Sequence, residues 1–594
     1  MGEHGSLMAL LNQFWLKISA RRKMQFGALL MLMVITSFAE VISIGAALPF
    51  LAALTDPDRL FQTTAIQPLI RIFDLSKPLQ LILPLTILFG FAAVLAGAMR
   101  LLMLWVSTRL AFAAGADLSM DIYRRTLYQP YEVHCARNSS EVINGISTKA
   151  NGVIYNMILP VLTLISSIVV MIAILIALFF VQPVVALAAF FGFGLIYLSI
   201  IFITRKQLLI DSELIARESS AVIKSLQEGL GGIRDVLIDG SQAAYCKIYR
   251  DADLPLRRAQ GNNQFIAQSP RYALEALGML LIAFLAFALS QSNHGVASAI
   301  PILGALALGA QRLLPVLQQA YSSWINVSGT QASLGDILKF LDQPLPAYAD
   351  DFDLQSMPFK KEISLSRLYF RYRPETSWVL KDLNLTIKKG SRVGFVGTTG
   401  SGKSTLLDIV MGLLQPSQGE LKIDGTVLTL KNQRSWQTHI AHVPQTIFLA
   451  DSTVEENIAF GIPKGQINFD KVRDAAKKAQ IAHVIDGLPE GYQTHVGERG
   501  VRLSGGQRQR IGIARALYKD ADVIIFDEAT SALDGETEEA VMEAIEGLSK
   551  DLTILVIAHR LSTLKTCTQV VDLENGSIKR IGSYVDIALS PPTN

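Results

Sequence analysis

One stretch near the middle of the chain has the residue types and spacing of a phosphate-binding loop. Residues 397–404 place four residues between two glycines and follow them with Lys403 and Ser404. The apolar run 393–396 predicts a buried strand before the loop, and residues 405–410 predict a helix after it. A strand, a glycine turn and a helix start direct backbone N–H groups and the positive end of the helix dipole at one anion. We therefore expect nucleotide phosphates here, with Lys403 at the β- and γ-phosphates and Ser404 on Mg²⁺.

A second apolar run, residues 523–526, ends in two carboxylates, Asp527 and Glu528. Such a strand presents its acids at its carboxyl end, which is the edge of the sheet where a phosphate loop lies. Asp527 is predicted to hold Mg²⁺ through water, and Glu528 to act as general base toward the attacking water. The two motifs together predict an ATPase.

Residues 503–507, Leu-Ser-Gly-Gly-Gln, match the signature of ATP-binding-cassette (ABC) proteins, and the domain around them resembles that family. The resemblance implies that Tyr372 stacks on adenine and that Gln445 senses metal and water. It also implies that His559 contacts the γ-phosphate, and that residues 531–534 form the D-loop. These residues and the two motifs predict the following sites. The catalytic residues are Glu528, His559 and Gln445; the Mg²⁺ residues are Ser404, Gln445 and Asp527; the ATP-binding residues are Tyr372, Gly397, Thr398, Thr399, Gly400, Ser401, Gly402, Lys403, Ser404, Thr405, Ser504, Gly505, Gly506, Gln507 and Asp534.

The signature motif also predicts an assembly. Ser504 and the glycine amides that follow it form an anion site at a helix start. In the resembled family this site contacts ATP held by the phosphate loop of a partner. One chain has one copy of each, so two chains with twofold symmetry are expected. A homodimer is the simplest arrangement, and a heterodimer with a related half remains open.

Composition separates a membrane part from the cassette. The 594-residue chain is 50% hydrophobic and 18% charged, with a mean hydropathy of +0.35, and the apolar excess lies in its first 330 residues. Several domains are therefore expected. The net charge of +3 gives no indication of nucleic-acid binding. The cysteines Cys135, Cys246 and Cys567 have no metal or disulfide spacing and are expected to be free thiols.

Six apolar runs approach or exceed the ~20 residues that span a bilayer. The predicted spans are about 25–53, 79–108, 154–181, 184–204, 272–291 and 296–320. The loops after spans two and four are long and basic, whereas those after spans three and five are short and lack Lys and Arg. The basic cluster Arg21 to Lys23 precedes span one. By the positive-inside rule the N-terminus, the long loops and the ATPase domain lie in the cytoplasm.

Four segments outside the spans are expected to interact with other parts of the protein. The polar breaks at 137–141 and 239–242 predict short transverse helices that touch the ATPase domain; a plain solvated loop is the alternative. Residues 494–500 resemble the cassette segment that touches the membrane domain in exporters. The external segment 56–78 is amphipathic, and it either lies on the outer membrane surface or packs on the ends of neighbouring helices.

The predicted fold is an all-α membrane domain, with six helices and long cytoplasmic extensions, joined to an α/β phosphate-loop ATPase domain of the ABC type. The expected boundaries are 1–340 for the membrane domain, 341–358 for a linker and 359–594 for the nucleotide-binding domain. This order resembles an ABC exporter half-transporter, which implies a translocase that uses ATP and Mg²⁺ in the cytoplasmic (inner) membrane of a bacterium.

Ionisable residues inside the predicted spans suggest what is moved. Arg100, Arg271 and Arg312 outnumber Glu275, and intramembrane charges usually face a cavity. A phosphate or pyrophosphate group would pair with such arginines. Alternatively Arg271 pairs with Glu275 one helical turn away, and Arg312 caps a helix or reaches the interface; Glu40 is a further candidate or the partner of Arg100.

The segments 268–275 and 311–315, with the external stretch, resemble flippases for lipid-linked oligosaccharides of bacterial protein N-glycosylation. That resemblance implies that Arg100, Arg271 and Arg312 line the path of a polyprenyl-pyrophosphate glycan, an anionic glycolipid held among membrane lipids. The alternatives are an exporter of peptide, lipid or amphipathic drug, and an ATP-gated regulatory or channel-like membrane protein.

Overall fold

The computed structural model describes residues 6–55, 57–181, 183–290, 313–349, 357–528, 535, 538, 551–557 and 564–588. The chain divides into two compact units. The first comprises Met1–Gln129 and Arg137–Pro344, and the second comprises Pro130–Ala136 and Leu345–Asn594. The division at Pro344 falls inside the predicted linker.

The first unit is helical. Its helices are α1 (Leu7–Lys17), α2 (Ala20–Thr55), α3 (Pro57–Phe61), α4 (Gln67–Ile72), α5 (Ile82–Leu127), α7 (Ser139–Asn144), α8 (Ala150–Val153), α9 (Leu159–Val181), α10 (Pro183–Gly231), α11 (Ile233–Ile238), α12 (Gln242–Ser290), α13 (described over 313–329) and α14 (Gln331–Leu341), while α6 (Tyr131–Ala136) belongs to the second unit. Short 3₁₀ turns lie at Thr64–Ile66 and Pro78–Leu81, and π-helical turns lie at Gly145–Lys149 and Ile154–Ile158.

The long helices exceed what a bilayer requires. Helix α5 has 46 residues, which at 1.5 Å per residue is about 69 Å, against about 30 Å of hydrocarbon. Beyond its apolar half, α5 buries Leu110, Ala114, Leu118 and Ile122, a spacing of four that keeps one face toward the core. The helix therefore continues past the membrane because an amphipathic pattern replaces the uniformly apolar one.

Three helical stretches among the described residues are long and apolar enough to cross a membrane: Ala20–Leu54, Pro78–Leu127 and Ser139–Ala177. They overlap the first three predicted spans. The fourth and fifth predicted spans lie along α10 and α12, and most of the sixth lies outside the described residues. The count of six spans stays a prediction.

The external segment packs mainly on neighbouring helix ends. Leu60, Phe61, Ile66, Leu69 and Ile70 pack with a buried cluster, which consists of Ala53, Leu81 and Leu85. One edge remains outside that packing, where Ile72 and Phe73 are exposed. The structure thus favours the packed alternative for most of the segment.

Helix α6 modifies the prediction for the first transverse helix. The predicted break was 137–141, but the short helix that groups with the ATPase unit is Tyr131–Ala136. The backbone N–H of Gln415 lies 3.5 Å from Glu132 Oε1 within that unit. Asn138 instead caps α7, its side chain accepting from the N–H of Ser140 at 3.0 Å. The polar residues that suggested a transverse helix therefore mark the start of the next one.

The second unit holds two sheets. Its strands are β1 (Glu362–Phe370), β2 (Leu380–Lys388), β3 (Arg392–Gly397), β4 (Gln418–Ile423), β5 (Thr426–Val427), β6 (Ile440–Val443), β7 (Val523–Asp527), β8 (Thr553–Ile557), β9 (Gln569–Glu574) and β10 (Ser577–Gly582). One sheet is antiparallel in the order β2-β1-β4-β5, and the other has the order β10-β9-β3-β8-β7-β6. In the second sheet all neighbours are parallel except β9 and β10.

The described helices of this unit, after α6, are α15 (Lys403–Val410), α16 (Gln433–Gln437), α17 (Val454–Ile458), α18 (Phe469–Lys478), α19 (Ala482–Asp486), α20 (Gly505–Lys519) and α21 (Tyr584–Ala588), with 3₁₀ turns at Ala347–Ala349, Lys464–Gln466, Gly491–Gln493 and Glu498–Gly500. Core residues cover both faces of the six-stranded sheet. On β7, Val523 and Ile525 join one buried cluster, and Ile524 and Phe526 join the other. A continuous apolar run is what a strand buried on both faces requires.

Candidate functional site

The phosphate loop joins the inner strand β3 to α15, as its sequence predicts. Gly400 and Gly402 have φ of 82° and 98°, in the left-handed region that glycine adopts without strain. A Cβ atom at Gly402 would lie 2.6 Å from Leu380 Cδ2, whereas one at Gly400 would meet no atom within 4 Å. Gly402 is thus required by packing, and Gly400 leaves the loop open for a ligand to approach its backbone.

Polar atoms of the loop are arranged to receive an anion. The ammonium group of Lys403 donates to the carbonyl oxygens of Gly397 and Thr398, each at 2.9 Å. Ser401 Oγ is buried and has no hydrogen-bond partner among the described residues. A buried hydroxyl without a partner is costly unless a ligand or water satisfies it. Together with the open backbone at Gly400, these features fit a phosphate chain.

Tyr372 lies beside this loop. Its hydroxyl is 3.1 Å from Thr405 Oγ1, and its ring packs edge-on against Phe370 at 5.0 Å. The side chain is 53% exposed, so its ring has a solvent-facing surface. The structure therefore brings the predicted adenine-stacking residue to the start of α15.

Gln445 and Glu528 meet where the acidic strand ends. Strand β6 leads to Gln445 and the parallel neighbour β7 leads to Asp527, so both chains emerge at one sheet edge. Gln445 Nε2 donates to Glu528 Oε2 at 2.6 Å. Glu528 has φ of 51°, a left-handed conformation that is uncommon for a residue with a side chain. Such strain recurs at functional sites, and here it accompanies the contact between two of the three predicted catalytic residues.

Asp408 is a residue near the site that the motifs do not indicate. It lies on α15, five residues after Lys403. Burial and the charge of Asp527 raise the pKa of Asp408 to about 6. The approach of a second carboxyl group to Asp527 means that the site has more negative charge than Asp527 and Glu528 supply. A divalent cation would relieve that repulsion.

The signature residues form a helix cap. Ser504 is the N-cap of α20, and its Oγ accepts from the N–H of Gln507 at 3.2 Å. Gln507 Oε1 in turn accepts from the N–H of Ser504 at 2.9 Å. Ser504 and Gly505 are exposed, so this helix start faces outward in one chain. Asp534 and His559, and with them the D-loop, lie outside the described residues.

Two of the three predicted substrate arginines have carboxylate partners. Arg100 contacts Glu40, whose side chain is only 3% exposed. Arg271 Nε lies 2.7 Å from Glu275 Oε1. Arg312 lies outside the described residues. The sequence predicts an excess of positive charge here, and in the structure the two described arginines are neutralised.

Two cavities adjoin one another in the membrane unit. A cavity of about 180 Å³ that includes the Arg271–Glu275 ion pair is lined by Tyr197, Arg271, Glu275, Leu314, Pro315, Gln318 and Gln319. An apolar cavity of about 380 Å³ is lined by Leu164, Ile168, Met171, Leu175, Gly194, Tyr197, Ile201, Leu313, Leu317, Ala320, Tyr321 and Trp324. Tyr197 belongs to both, and its hydroxyl is 3.1 Å from Gln318 Oε1. The pair therefore offers a charged compartment beside a hydrophobic one.

Comparisons with known proteins agree with this architecture. Residues 26–304 match the model of the ABC transporter transmembrane region, and residues 380–531 match the ABC transporter model. The chain is 30% identical over 484 residues, 79% of each chain, to an ATP-dependent lipid A-core flippase of Ralstonia nicotianae. It is 37% identical over 286 residues to a toxin RTX-I translocation ATP-binding protein of Actinobacillus pleuropneumoniae, covering 48% of this chain and 40% of that protein.

A solved structure has the same fold. It is a bacterial Atm1-family ABC exporter with ATP bound, which superimposes with a TM-score of 0.77 over 95% of each chain at 22% identity. The predicted fold class, a helical membrane domain followed by an α/β ATPase domain, is confirmed.

Proposed function

The chain belongs to the ABC transporter family, and from that membership we propose that it flips an anionic lipid-linked glycan, such as a polyprenyl-pyrophosphate oligosaccharide, across the cytoplasmic membrane of a bacterium. As an ABC transporter with a transmembrane region and a cassette, it is an ATPase coupled to transport across a membrane. The proposal concerns the substrate, the membrane, and the way in which two copies cooperate.

The observation that carries the substrate proposal is the pair of cavities that share Tyr197. A charged compartment next to an apolar one suits a molecule with a polar head and a hydrocarbon tail. A relative named as a lipid A-core flippase also handles a molecule of that kind. A purely water-soluble substrate would leave the apolar compartment unused.

Arg271 is the residue proposed to meet the anionic head group. Its ion pair with Glu275 uses Nε, so its terminal N–H groups are left for a phosphate oxygen. Arg271 is 62% exposed, which keeps the guanidinium accessible. Arg100 is proposed to act in concert, although its partner Glu40 makes it partly structural, and Arg312 is proposed from its sequence alone.

For hydrolysis we propose that the phosphate loop holds ATP, while Ser404, Gln445 and Asp527 hold Mg²⁺. Bound Mg²⁺ supplies charge neutralisation for the developing phosphoryl group. Glu528 accepts a proton from the attacking water, and Gln445 orients that carboxylate through its 2.6 Å hydrogen bond. His559 is proposed to contact the γ-phosphate.

We also propose that the working unit is a homodimer with two composite ATP sites. The outward-facing helix start at Ser504 is suited to an anion that its own chain does not supply. Closing two cassettes on ATP would then couple hydrolysis to reorientation of the cavities.

Reconstituted liposomes test the substrate proposal. A polyprenyl-pyrophosphate oligosaccharide in the outer leaflet of inside-out vesicles should lose accessibility to an added glycosidase when ATP is supplied. Glu528→Gln is the matched control and should abolish that protection. Transport of a labelled peptide instead, with no movement of the glycolipid, would refute the proposal in favour of a peptide exporter. Absence of steady ATP turnover would favour a gated regulatory protein.

A further inference from the structure

A third cavity lies away from both proposed sites, beside the N-terminal helix α1. It measures about 240 Å³ and its lining is wholly apolar: Leu11, Phe14, Trp15, Ile18, Phe26, Leu29, Leu30, Met33, Met157, Ile158, Val161, Leu162 and Ile165. Phe14, Leu29 and Met33 are almost fully buried, whereas Trp15 and Leu30 are 43% and 45% exposed. The cavity therefore has a closed inner end and an accessible mouth between α1 and α2.

The mouth carries uncompensated positive charge. Lys23 Nζ stands 5.9 Å from the centroid of the Trp15 ring and 3.4 Å from the carbonyl oxygen of Leu16. Arg21, two residues before Lys23 on α2, lies on a different face of that helix. The neighbouring cations are neutralised, Arg22 by Asp117 at 2.8 Å and Lys17 by Asp342 at 2.6 Å. Lys23 is thus the cation available at the mouth.

The position of α1 indicates which environment meets this mouth. The helix precedes the first membrane-spanning stretch and contains no acidic residue. On α1, Met8 and Leu16 point outward and are 74% and 66% exposed, and Met24 at the start of α2 is 75% exposed. An apolar outer face with adjacent Lys and Arg is typical of a helix lying in the membrane interface, here on the side that the basic residues assign to the cytoplasm.

We propose that this cavity binds one acyl chain of an anionic glycerophospholipid from the cytoplasmic leaflet, with the phosphate held by Lys23. A hydrocarbon chain is the ligand that an apolar cavity open to a bilayer receives, and the charge of Lys23 favours a negatively charged head group. The site is separate from the transport path and does not depend on the transported molecule being a glycolipid.

A lipid bound at this site would also affect the end of α14. Lys17 at the end of α1 contacts both Asp342 and the carbonyl oxygen of Leu341, where α14 ends and the chain leaves for the ATPase unit. A lipid that stabilises α1 therefore stabilises the anchor of that connection. This gives the lipid a regulatory position.

The binding test uses the full-length protein and native mass spectrometry. Dioleoylphosphatidylglycerol should remain bound at one molecule per chain, and dioleoylphosphatidylcholine should not. Lys23→Gln should weaken phosphatidylglycerol binding about fivefold, since one cation near an anionic surface is worth about a factor of five. Val161→Phe, which fills the cavity without changing charge, should weaken it about tenfold.

A control variant separates site binding from general charge attraction. Lys77→Gln removes one cation from the predicted outer side and should leave binding unchanged. A phosphatidylglycerol with a diazirine on its acyl chain should label peptides that contain Phe14 or Met157. Equal binding by wild type and Val161→Phe, or labelling confined to other peptides, would overturn the proposal. The proposal would also fail if two Leu30→Cys chains formed a disulfide with each other and the lipid labelled no cavity peptide, because a second chain would then cover the mouth.

Discussion

At the scale of single residues, Glu528 is held by its own backbone and by Gln445. Its left-handed φ and the 2.6 Å hydrogen bond fix the carboxylate at the end of β7. Glu528→Gln should lower ATP hydrolysis at least about a hundredfold while ATP binding persists, because only the proton acceptor is lost. Phosphate release and binding of a fluorescent ATP analogue measure the two effects. Glu574→Gln, on the edge of β9, is the control, and undiminished hydrolysis by the Glu528 variant would contradict the assignment.

His442 makes the ATPase unit sensitive to acid. It lies on β6, its Nε2 is buried without a hydrogen-bond partner among the described residues, and burial lowers its pKa to about 4. In the unfolded chain His442 is protonated below about pH 6.5, whereas in the folded chain it stays neutral. Its contribution to the unfolding free energy is therefore fully present above that pH and is lost as the pH falls toward 4.

Between pH 7.5 and pH 5 this one group should therefore cost about 2 kcal/mol of unfolding free energy. Denaturant unfolding gives the unfolding free energy of wild type and of His442→Leu at both pH values. The contribution of His442 is the loss between the two pH values in wild type minus the loss in the variant. The variant should lose less stability on acidification. An identical loss in both proteins would show that folding does not lower the pKa of His442.

At the scale of elements, α14 is tied to the π-helical turn before α8 by a buried ion pair. The side chain of Lys149 is 7% exposed, and its Nζ lies 2.5 Å from Asp336 Oδ2. Lys149 and Lys339 hold the pKa of Asp336 below its ordinary value, against the opposing effect of burial. Lys149→Met should destabilise the membrane unit by about 3 kcal/mol, because it leaves a carboxylate with only the exposed Lys339.

Thermal unfolding in detergent measures this change. Lys339→Met, at a site 71% exposed, should cost under about 1 kcal/mol. Adding Asp336→Asn to Lys149→Met should recover stability, since neither charge is then stranded. If the double variant were no more stable than Lys149→Met alone, the loss would come from packing and not from the charge.

The elements also show what sequence patterns can and cannot predict. Gln445 and Glu528 are 83 residues apart, yet motif identity and parallel strand order suffice to expect them at one edge. No motif distinguishes Asp408 from an ordinary helix residue, and only the fold places it near Asp527. The sequence offers Glu40 as a partner for Arg100 only as one of two alternatives, because the two residues lie on different helices and no local spacing connects them; the structure shows that they pair.

At the scale of the whole molecule, transport and hydrolysis should be separable at Arg271. Arg271→Gln should reduce glycolipid flipping by roughly tenfold or more, since a charge-assisted hydrogen bond to the head group is lost. Hydrolysis without substrate should continue, because the ATP site is unchanged. The liposome assay and phosphate release measure the two activities.

Arg100 is a poorer choice for that experiment. Removing it leaves Glu40 buried and uncompensated, so a loss of flipping would mix transport with stability. Glu40→Gln combined with Arg100→Gln is the appropriate comparison. Unimpaired flipping by Arg271→Gln would contradict an anionic head group at this cavity.

The two π-helical turns, Gly145–Lys149 and Ile154–Ile158, determine how the faces of α7 and α9, which lie on either side of them, are rotated relative to each other. Each π turn holds about one residue more than an α turn and so advances the angular phase of everything beyond it by roughly 100°. The direction in which α9 presents Leu162 is therefore set by insertions of backbone, not by the apolar pattern alone. Trimming one residue from either turn would leave every side-chain type intact and still rotate that face out of register.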